Sequence, residues 1–282
     1  MRDIVMVVGS GMMGSGIGAM SALAGNKTVL VDTSAERAEN GRKKAIECIR
    51  LREENELNTH EEAEKAIELL STSDDSIKTA ENARLVIEAI IENVEAKQNL
   101  FAQLDAVLPV EVPICSNTSG LRITDISAKC AHPERTVTTH FWLPAHLVPL
   151  VEVVMGDKTD EAVAVAVRDE LRKWKKAPVL VKRDLPGQLA NRVFQAIIRE
   201  SIDIVASGLA SAEDVDTAIS CGSLFYFIGS EDTMNILIVG CGKVGSMLAS
   251  ELDRMGHDVA VLDREEVHFA LLDSDFSGYT IS

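Results

Sequence analysis

Positive charge, aromatic residues, cysteine and long apolar runs are all scarce in this sequence. Its 282 residues hold 28 Lys and Arg against 44 Asp and Glu, which gives a net charge of −16. Nucleic acid and anionic membranes are bound through a concentrated positive face, so the charge balance argues against both as the main partner. No run approaches the roughly 20 apolar residues of a membrane span, and we expect no membrane insertion.

The five cysteines are scattered and lack the spacing of a metal site or of a disulfide framework. We therefore predict no metal, and a reducing cytoplasm is the expected location. A predicted strand begins almost at the first residue, which leaves no room for a signal peptide. Aromatic residues account for only 4% of the chain, yet hydrophobic residues make up 46%, enough to build a core.

An apolar run at residues 4–8 is followed by a glycine-rich turn with the pattern G-x-G-x-x-G. In such a turn Gly9 permits the tight bend, Gly11 lets the backbone approach a pyrophosphate, and Gly14 lets the next helix pack against the strand. The N-terminus of that helix offers free N–H groups and a positive dipole end to phosphates. The matched order of strand, turn, helix and strand favours a dinucleotide-binding βαβ unit over a purely structural turn.

Asp32 closes the second apolar run of this unit. A carboxylate at this place accepts hydrogen bonds from the ribose hydroxyls and repels a 2′-phosphate, so it favours NAD over NADP. The residues of this unit that we predict to bind NAD are Gly9, Gly11, Met12, Met13, Gly14 and Asp32.

Short apolar runs alternate with helical patterns as far as residue 181, and a polar stretch at about 34–70 predicts one or two surface helices. This alternation predicts an α/β fold, a Rossmann-type doubly wound and mainly parallel sheet. The pattern breaks at Pro186, after which a long amphipathic helix and a shorter one with Ser211 as N-cap are predicted. We assign residues 1–184 to an NAD-binding domain and 185–222 to a shortened helical segment.

Five further motifs follow the glycine-rich turn in a fixed order. They are Glu88-Ala89-Ile90-Ile91-Glu92, Ser116-Asn117-Thr118-Ser119, Thr139-His140-Phe141-Trp142-Leu143-Pro144, Leu150-Val151-Glu152-Val153-Val154, and Pro186-Gly187 with Asn191-Arg192. Through them, residues 3–220 resemble the 3-hydroxyacyl-CoA dehydrogenases. The sequence around His140 is also similar to a branch of the family that includes carnitine and gulonate dehydrogenases. A free 3-hydroxy acid therefore stays open as the substrate.

Oxidation of a secondary alcohol by NAD removes a hydride from carbon and a proton from oxygen. His140, at the end of a predicted strand, fits the general base because imidazole titrates near neutral pH. Glu152, on the neighbouring predicted strand, would hold the other ring nitrogen and stabilise the imidazolium. Ser119 and Asn191 would hydrogen-bond the substrate oxygen as its charge changes.

The resemblance further implies that Glu92 and Lys97 line the nicotinamide side of the cleft and that Asn117 contributes to cofactor binding. Taken singly, a histidine near an apolar strand, a glutamate in a strand or an asparagine on a helix is more often structural. Together and in family order, the same residues favour function.

The sequence departs from the family at three places. Leu143 stands where members usually carry Asn, and Gln188 stands where Phe commonly follows Pro-Gly. The helical C-terminal domain, which in the family runs for about a hundred residues and forms the dimer, is represented only by its first two helices. We therefore expect an uncovered apolar face that includes Val193, Ile198 and Ile202, and a weakened homodimer.

A second glycine-rich unit occupies residues 234–282, after a predicted junction at 223–233. It carries Gly240, Gly242 and Gly245, with Asp263 closing its second apolar run. These residues resemble the start of the TrkA or RCK nucleotide-binding domains that regulate potassium transport. A stable sheet generally needs more strands than this segment supplies, so we expect an incomplete nucleotide site.

We interpret the chain as an NAD-dependent dehydrogenase that oxidises a 3-hydroxyacyl-CoA, such as 3-hydroxybutyryl-CoA, or a related 3-hydroxy acid. The expected partner is this small-molecule substrate. Two alternatives stay open. One is a nucleotide-sensing regulator of potassium transport carried by residues 234–282, and the other is an inactive fusion that binds NAD without catalysis.

Overall fold

The computed structural model describes residues 2–185, 187–221, 235–239, 241, 246, 249–250, 253–254, 258–263, 265–272 and 274–281. The chain divides into two compact units, Met1–Arg192 and Val193–Ser282, and each is considered by itself.

The first unit is built on an eight-stranded sheet in the order β3-β2-β1-β4-β5-β6-β7-β8. All neighbouring strands are parallel except β6 and β7, which are antiparallel. This confirms the predicted Rossmann-type, mainly parallel sheet. The strands are β1 (Ile4–Val8), β2 (Lys27–Val31), β3 (Leu70–Ser73), β4 (Ala83–Glu88), β5 (Ile114–Ser116), β6 (Thr136–Phe141), β7 (Leu150–Met155) and β8 (Ala177–Val181).

Helices cover both faces of this sheet, and β1 shows the consequence most clearly. Its residues alternate between two apolar clusters, with Val5 and Val7 in one and Met6 and Val8 in the other, all of them buried. A strand buried on both faces reads as a continuous apolar run, as this one does. The helices of the unit are α1 (Met12–Leu23), α2 (Ala35–Glu54), α3 (His60–Glu68), α4 (Ser76–Ala80), α5 (Val94–Val107), α6 (Ile123–Ile126) and α7 (Glu161–Lys173).

Side-chain caps define where several of these helices begin. Ser34 accepts a hydrogen bond at the start of α2, and Thr59 and Glu62 form a reciprocal capping box at the start of α3. The polar stretch predicted as one or two helices is thus two helices. The strand β3, which begins at Leu70, was not predicted, because its sequence Leu-Ser-Thr-Ser carries little apolar signal.

A long helix, α8 (Leu189–Ala206), begins in the first unit and continues into the second, where α9 (Ala212–Cys221) follows. Ser211 accepts a hydrogen bond from the backbone N–H of Asp214, which confirms the predicted N-cap. None of the residues of α8 is buried, and its exposed apolar residues include Val193, Ile198 and Ile202. The predicted uncovered face is therefore present.

The rest of the second unit contains a three-stranded parallel sheet in the order β11-β10-β9. Its strands are β9 (Asn235–Val239), β10 (Asp258–Leu262) and β11 (Tyr279–Ile281). The predicted junction at 223–233 and the glycines Gly240, Gly242 and Gly245 lie outside the described residues. Among the helices of the described ranges, none has both the length and the apolar character to cross a membrane.

Candidate active site

The glycine-rich turn joins β1 to α1 with the geometry that its sequence predicts. Gly9 has a φ of +92°, and a Cβ built on it would lie 2.6 Å from the carbonyl oxygen of Ala89. A Cβ on Gly14 would overlap the carbonyl oxygen of Gly9, whereas a Cβ on Gly11 would have no atom within 4 Å. Gly9 and Gly14 are therefore required by the fold, and Gly11 leaves open space where a ligand can approach the backbone.

The first turn of α1 faces that open space. Its N-cap is Gly11, which has no side chain to accept a hydrogen bond, so the first N–H groups of the helix keep their donor capacity. Met12 is 70% exposed, whereas Met13 packs against the core. Uncapped N–H groups beside an open glycine suit the pyrophosphate of a dinucleotide.

Asp32 follows β2 and reaches back to the glycine-rich turn. Its Oδ2 accepts hydrogen bonds from the backbone N–H of Ser10 at 3.0 Å and from the Ser10 hydroxyl at 2.8 Å. Its Oδ1 lies 3.0 Å from Nε of Arg37. Burial opposes ionisation, but hydrogen bonds from Thr33 and Ser10 together with Arg37 hold the pKa of Asp32 below its ordinary value. The carboxylate is thus ionised, and it is bonded to the glycine-rich turn through Ser10.

His140 and Glu152 are directly opposite each other on the antiparallel strands β6 and β7. The His140 Nδ1 lies 2.7 Å from Oε2 of Glu152, and the side chains are 7% and 0% exposed. Since an ionised carboxylate only accepts hydrogen bonds, Nδ1 carries the proton and Nε2 of the neutral ring is left as the acceptor.

The other groups around Glu152 are all donors. Trp142 Nε1 donates to Oε2 at 3.1 Å, and the backbone N–H groups of Leu189 and Ala190 donate to Oε1 at 2.7 and 2.8 Å. Burial would raise the pKa of Glu152, but the hydrogen bonds from His140, Ala190 and Trp142 outweigh it and hold the pKa below its ordinary value. The carboxylate therefore also serves as the acceptor for the first turn of α8.

The remaining predicted site residues lie on loops around this pair or on α8. Asn117 follows β5, and its Oδ1 accepts a hydrogen bond from the backbone N–H of Phe141 at 2.8 Å, which fixes the chain beside His140. Ser119 is exposed, and Asn191 is half-buried in the first turn of α8. In the described part of the chain, neither of them hydrogen-bonds His140 or Glu152.

Glu92 and Lys97 belong to a charge cluster at the end of β4, in which Glu88 and Lys97 are buried. The Lys97 ammonium is 1% exposed and lies 2.6 Å from Glu88 and 3.3 Å from Glu92. Glu92 Oε1 also accepts from the Thr118 hydroxyl at 2.5 Å and from the Ser119 N–H at 3.1 Å. The Glu92 side chain is 45% exposed to solvent. The Lys97 ammonium, in contrast, contacts the carboxylates of Glu88 and Glu92 rather than solvent.

The segment after β6 is held by two cations that the sequence analysis did not identify. Lys176 is buried, and its Nζ donates to the carbonyl oxygens of Ala145 at 2.5 Å and Val148 at 2.8 Å. Arg52 of α2 donates to the carbonyl oxygen of His146 at 2.6 Å. Burial, with a smaller contribution from Arg52, lowers the pKa of Lys176 to about 8. No local pattern marks these residues, because each contact joins distant parts of the chain.

The same segment forms one wall of a cavity of about 800 Å³. The opposite wall is formed by α1 and α2. Leu143, one of the departures from the family pattern, is 58% exposed and lies on this wall. The lining residues are Met12, Ser15, Lys44, Glu47, Cys48, Arg50, Leu51, Glu54, Leu143, Pro144, Ala145 and His146.

The fold and the site together define a class of protein. Parallel strands β1, β4, β5 and β6 end at one edge of the sheet, where the glycine-rich turn, Asn117 and the His140–Glu152 pair are found. In open α/β sheets, ligands bind at this edge. A dinucleotide turn beside a paired histidine and carboxylate is typical of a nicotinamide-dependent dehydrogenase.

Comparison with known proteins names the family. The profile of "3-hydroxyacyl-CoA dehydrogenase, NAD binding domain" matches residues 4–185. A probable 3-hydroxybutyryl-CoA dehydrogenase of Bacillus subtilis is 36% identical over 243 residues, which cover 83% of this chain and 84% of the relative. The 5-formyl-3-hydroxy-2-methylpyridine 4-carboxylate 5-dehydrogenase of Mesorhizobium japonicum is 32% identical over 227 residues, covering 77% and 70%. The crystal structure of M. tuberculosis FadB2 superposes with a TM-score of 0.71 at 31% identity over 78% of each chain.

The chain belongs to the 3-hydroxyacyl-CoA dehydrogenase family. It is an NAD-dependent oxidoreductase of that family, as the sequence analysis predicted.

Residues 236–280 match a different profile, that of "Ketopantoate reductase PanE/ApbA". The predicted TrkA or RCK type is therefore not the one that the comparison finds. Asp263 nevertheless repeats the geometry of Asp32, since its Oδ2 accepts a hydrogen bond from the backbone N–H of Cys241 at 2.5 Å. In both units the acid after the second strand bonds the residue after the first glycine.

Proposed function

We propose that this chain oxidises a 3-hydroxyacyl-CoA, such as 3-hydroxybutyryl-CoA, to the 3-oxoacyl-CoA. The observation that carries the proposal is the buried His140–Glu152 pair, 2.7 Å apart, at the sheet edge that also carries the nucleotide turn. When bound, NAD supplies the hydride acceptor. A base is then needed for the hydroxyl proton, and His140 is the candidate.

In the proposed reaction, Nε2 of His140 takes the proton of the 3-hydroxyl group as the C–O bond becomes a carbonyl. The hydride leaves the same carbon, so one proton and one hydride account for the oxidation. Glu152 stabilises the imidazolium that forms, because its carboxylate already accepts a hydrogen bond from Nδ1. In the reverse direction the imidazolium returns the proton to the oxygen.

Ser119 and Asn191 are proposed to hydrogen-bond the substrate oxygen while its charge changes. The exposed Ser119 hydroxyl and the half-buried Asn191 amide have the donors for this role. Asn117 would hold the backbone beside His140 and turn its amide N–H groups toward the cofactor. Glu92 would line the nicotinamide side of the cleft, and the Lys97 ammonium, 3.3 Å away, would hold its carboxylate in place.

NAD itself is proposed to lie with its pyrophosphate over Gly11 and the first turn of α1. The open space at Gly11 and the uncapped helix N-terminus support this placement. Gly9, Met12, Met13 and Gly14 shape the turn, and Asp32 would accept hydrogen bonds from the adenosine ribose.

A thioester of CoA is favoured over a free hydroxy acid by the cavity of about 800 Å³ beside Leu143. A small hydroxy acid would leave most of that volume empty, whereas a CoA-sized substrate would use it. Of the cations that line it, Lys44 would offer positive charge to phosphates, whereas Arg50 is paired with Glu53 and Glu64. The alternative, a free 3-hydroxy acid, is supported by the sequence similarity around His140 and by the pyridine carboxylate named for the Mesorhizobium relative.

A homodimer is proposed to form through the exposed apolar face of α8, although with fewer helices than the family domain would supply. The cytoplasm remains the proposed location.

The regulatory alternative rests only on the sequence resemblance of residues 234–282. The inactive-fusion alternative rests on Leu143 and the shortened helical segment, and both of these features weaken the substrate cleft.

The test is the consumption of NADH by the purified chain with acetoacetyl-CoA, compared between wild type, His140→Ala and His60→Ala. We expect His140→Ala to lose at least about a thousandfold in kcat, which is within the range for removing a catalytic base. NAD affinity should stay within a few-fold. The His60 side chain is 75% exposed. His60→Ala therefore shows whether the loss of a histidine outside the site changes kcat.

No consumption by wild type, with NAD still bound, would contradict the acyl-CoA proposal. The same assay with free 3-oxo acids then separates the free-acid alternative from an inactive chain. Equal loss of NAD binding and turnover in His140→Ala would contradict the role of His140 as base.

A further inference from the structure

The carboxylate of Glu152 is shared between His140 and a second side chain that the proposed mechanism does not use. Oε2 of Glu152 accepts from His140 Nδ1 at 2.7 Å and from Trp142 Nε1 at 3.1 Å. The two rings also lie near each other, with centroids 5.8 Å apart and planes tilted by 54°. Trp142 therefore contacts both members of the pair.

We propose that Trp142 is a positioning residue whose indole N–H sets the basicity of His140 by competing for the same oxygen of Glu152. The inference rests on the proposed role of His140 as the base. It adds a third residue to the pair and gives that residue an effect on the pH range of the reaction.

The physical reason lies in the shared acceptor. A donor to a carboxylate oxygen stabilises its negative charge and reduces the charge that the oxygen offers to another partner. With Trp142 in place, Oε2 stabilises an imidazolium less than it would with His140 as its one donor. Removing the indole N–H should therefore raise the pKa of the imidazole.

Among the residues that the structure describes, the other donors to Glu152 do not compete for Oε2. The backbone N–H groups of Leu189 and Ala190 donate to Oε1, the opposite oxygen, from the positive end of α8. On β8 the residue paired with Glu152 is the apolar Val179. Among the contacts that the described residues make with Glu152, His140 is the titratable partner.

Proton removal requires neutral His140, so the acid limb of kcat/KM for alcohol oxidation reports its pKa. For Trp142→Phe we expect this limb to move to higher pH by about half a pH unit to one unit, the scale of one hydrogen bond to a carboxylate. The rate above the limb should change less than a few-fold. A partly misfolded variant would show a lower kcat/KM at every pH, but the pH of its acid limb would not change.

Trp174 offers a matched control. It also donates an indole hydrogen bond to a carboxylate, that of Glu170 at 3.2 Å, rather than to Glu152. Trp174 is buried, and its ring centroid lies 6.5 Å from that of Phe141. Trp174→Phe therefore makes the same chemical change at another place. We expect its acid limb to coincide with that of the wild type, and a shift equal to that of Trp142→Phe would overturn the proposal.

An NMR titration measures the same property without turnover. In histidine-labelled protein, the His140 signal is identified by its loss in His140→Gln, and its pKa is compared between wild type and Trp142→Phe. A higher pKa in the variant supports the proposal even if acetoacetyl-CoA is not a substrate, and an unchanged or lower pKa overturns it. If the phenylalanine variant does not fold, benzothienyl-alanine at position 142 keeps the bicyclic shape and removes only the N–H.

Discussion

At the residue scale, the glycines of the turn have different roles, which substitution by alanine can separate. A Cβ at position 14 would overlap the Gly9 carbonyl oxygen, and a Cβ at position 11 would meet nothing within 4 Å. The sequence pattern predicts close helix packing at Gly14 and an approach of the pyrophosphate at Gly11. The structure adds the distances, because it shows that position 14 is closed by the protein and position 11 is open.

Gly14→Ala should therefore destabilise the fold, and Gly11→Ala should weaken NAD binding with little change in stability. We expect Gly14→Ala to lower the free energy of unfolding by about 2 kcal/mol or more, as overpacking against backbone does. Gly11→Ala should reduce NAD affinity by about tenfold or more, since the methyl group would occupy the space of the pyrophosphate. Urea denaturation and NAD titration of both variants check this, and the reverse pattern would contradict it.

The His140–Glu152 pair shows how much of the site could be predicted from single residues. The sequence predicted that His140 and Glu152 lie on neighbouring strands, and the register pairs them directly. The indole of Trp142 on the same carboxylate and the anchoring of Phe141 by Asn117 were not predicted. Both depend on side-chain directions at the end of a strand, which apolar periodicity does not encode.

At the element scale, the segment between β6 and β7 is irregular, and its shape depends on cations from other elements. Arg52 reaches the carbonyl oxygen of His146 across 94 residues of sequence, and Lys176 reaches those of Ala145 and Val148. A local pattern cannot predict such contacts, because neither partner is unusual in its own neighbourhood. The strand β3 was missed for a related reason, since its pairing with β2 rather than its own composition makes it a strand.

Lys176→Met should loosen this segment, because its two hydrogen bonds from Nζ are lost while the apolar stem is kept. We expect faster amide hydrogen exchange in residues 143–149 and a KM for the acyl-CoA raised about tenfold, with NAD affinity unchanged, since the segment lines the cavity. Lys175→Met is the control, because Lys175 is exposed and its ion pair with Glu62 spans 3.5 Å at the surface. Equal exchange in both variants would contradict the role of Lys176.

At the scale of the whole molecule, the chain carries two acids in the same relation to a glycine turn. Asp32 bonds the N–H of Ser10, and Asp263 bonds the N–H of Cys241. Their surroundings differ, because the sheet of the first unit has eight strands and the described sheet of the second has three. A dinucleotide site spans two mononucleotide-binding halves, and the three described strands correspond to one half at most.

We therefore expect one NAD per chain, bound by the first unit. An equilibrium titration should give a stoichiometry near one for the wild type, and Asp32→Ala should weaken that site by about tenfold while relaxing discrimination against NADP. Asp263→Ala is the matched change in the second unit and should leave stoichiometry and affinity as they are. Two sites in the wild type, with one lost in Asp263→Ala, would show that the second unit binds a dinucleotide after all. The family domain would then be joined to a second functional nucleotide site, and the similarity of residues 236–280 to ketopantoate reductase would extend from sequence to binding.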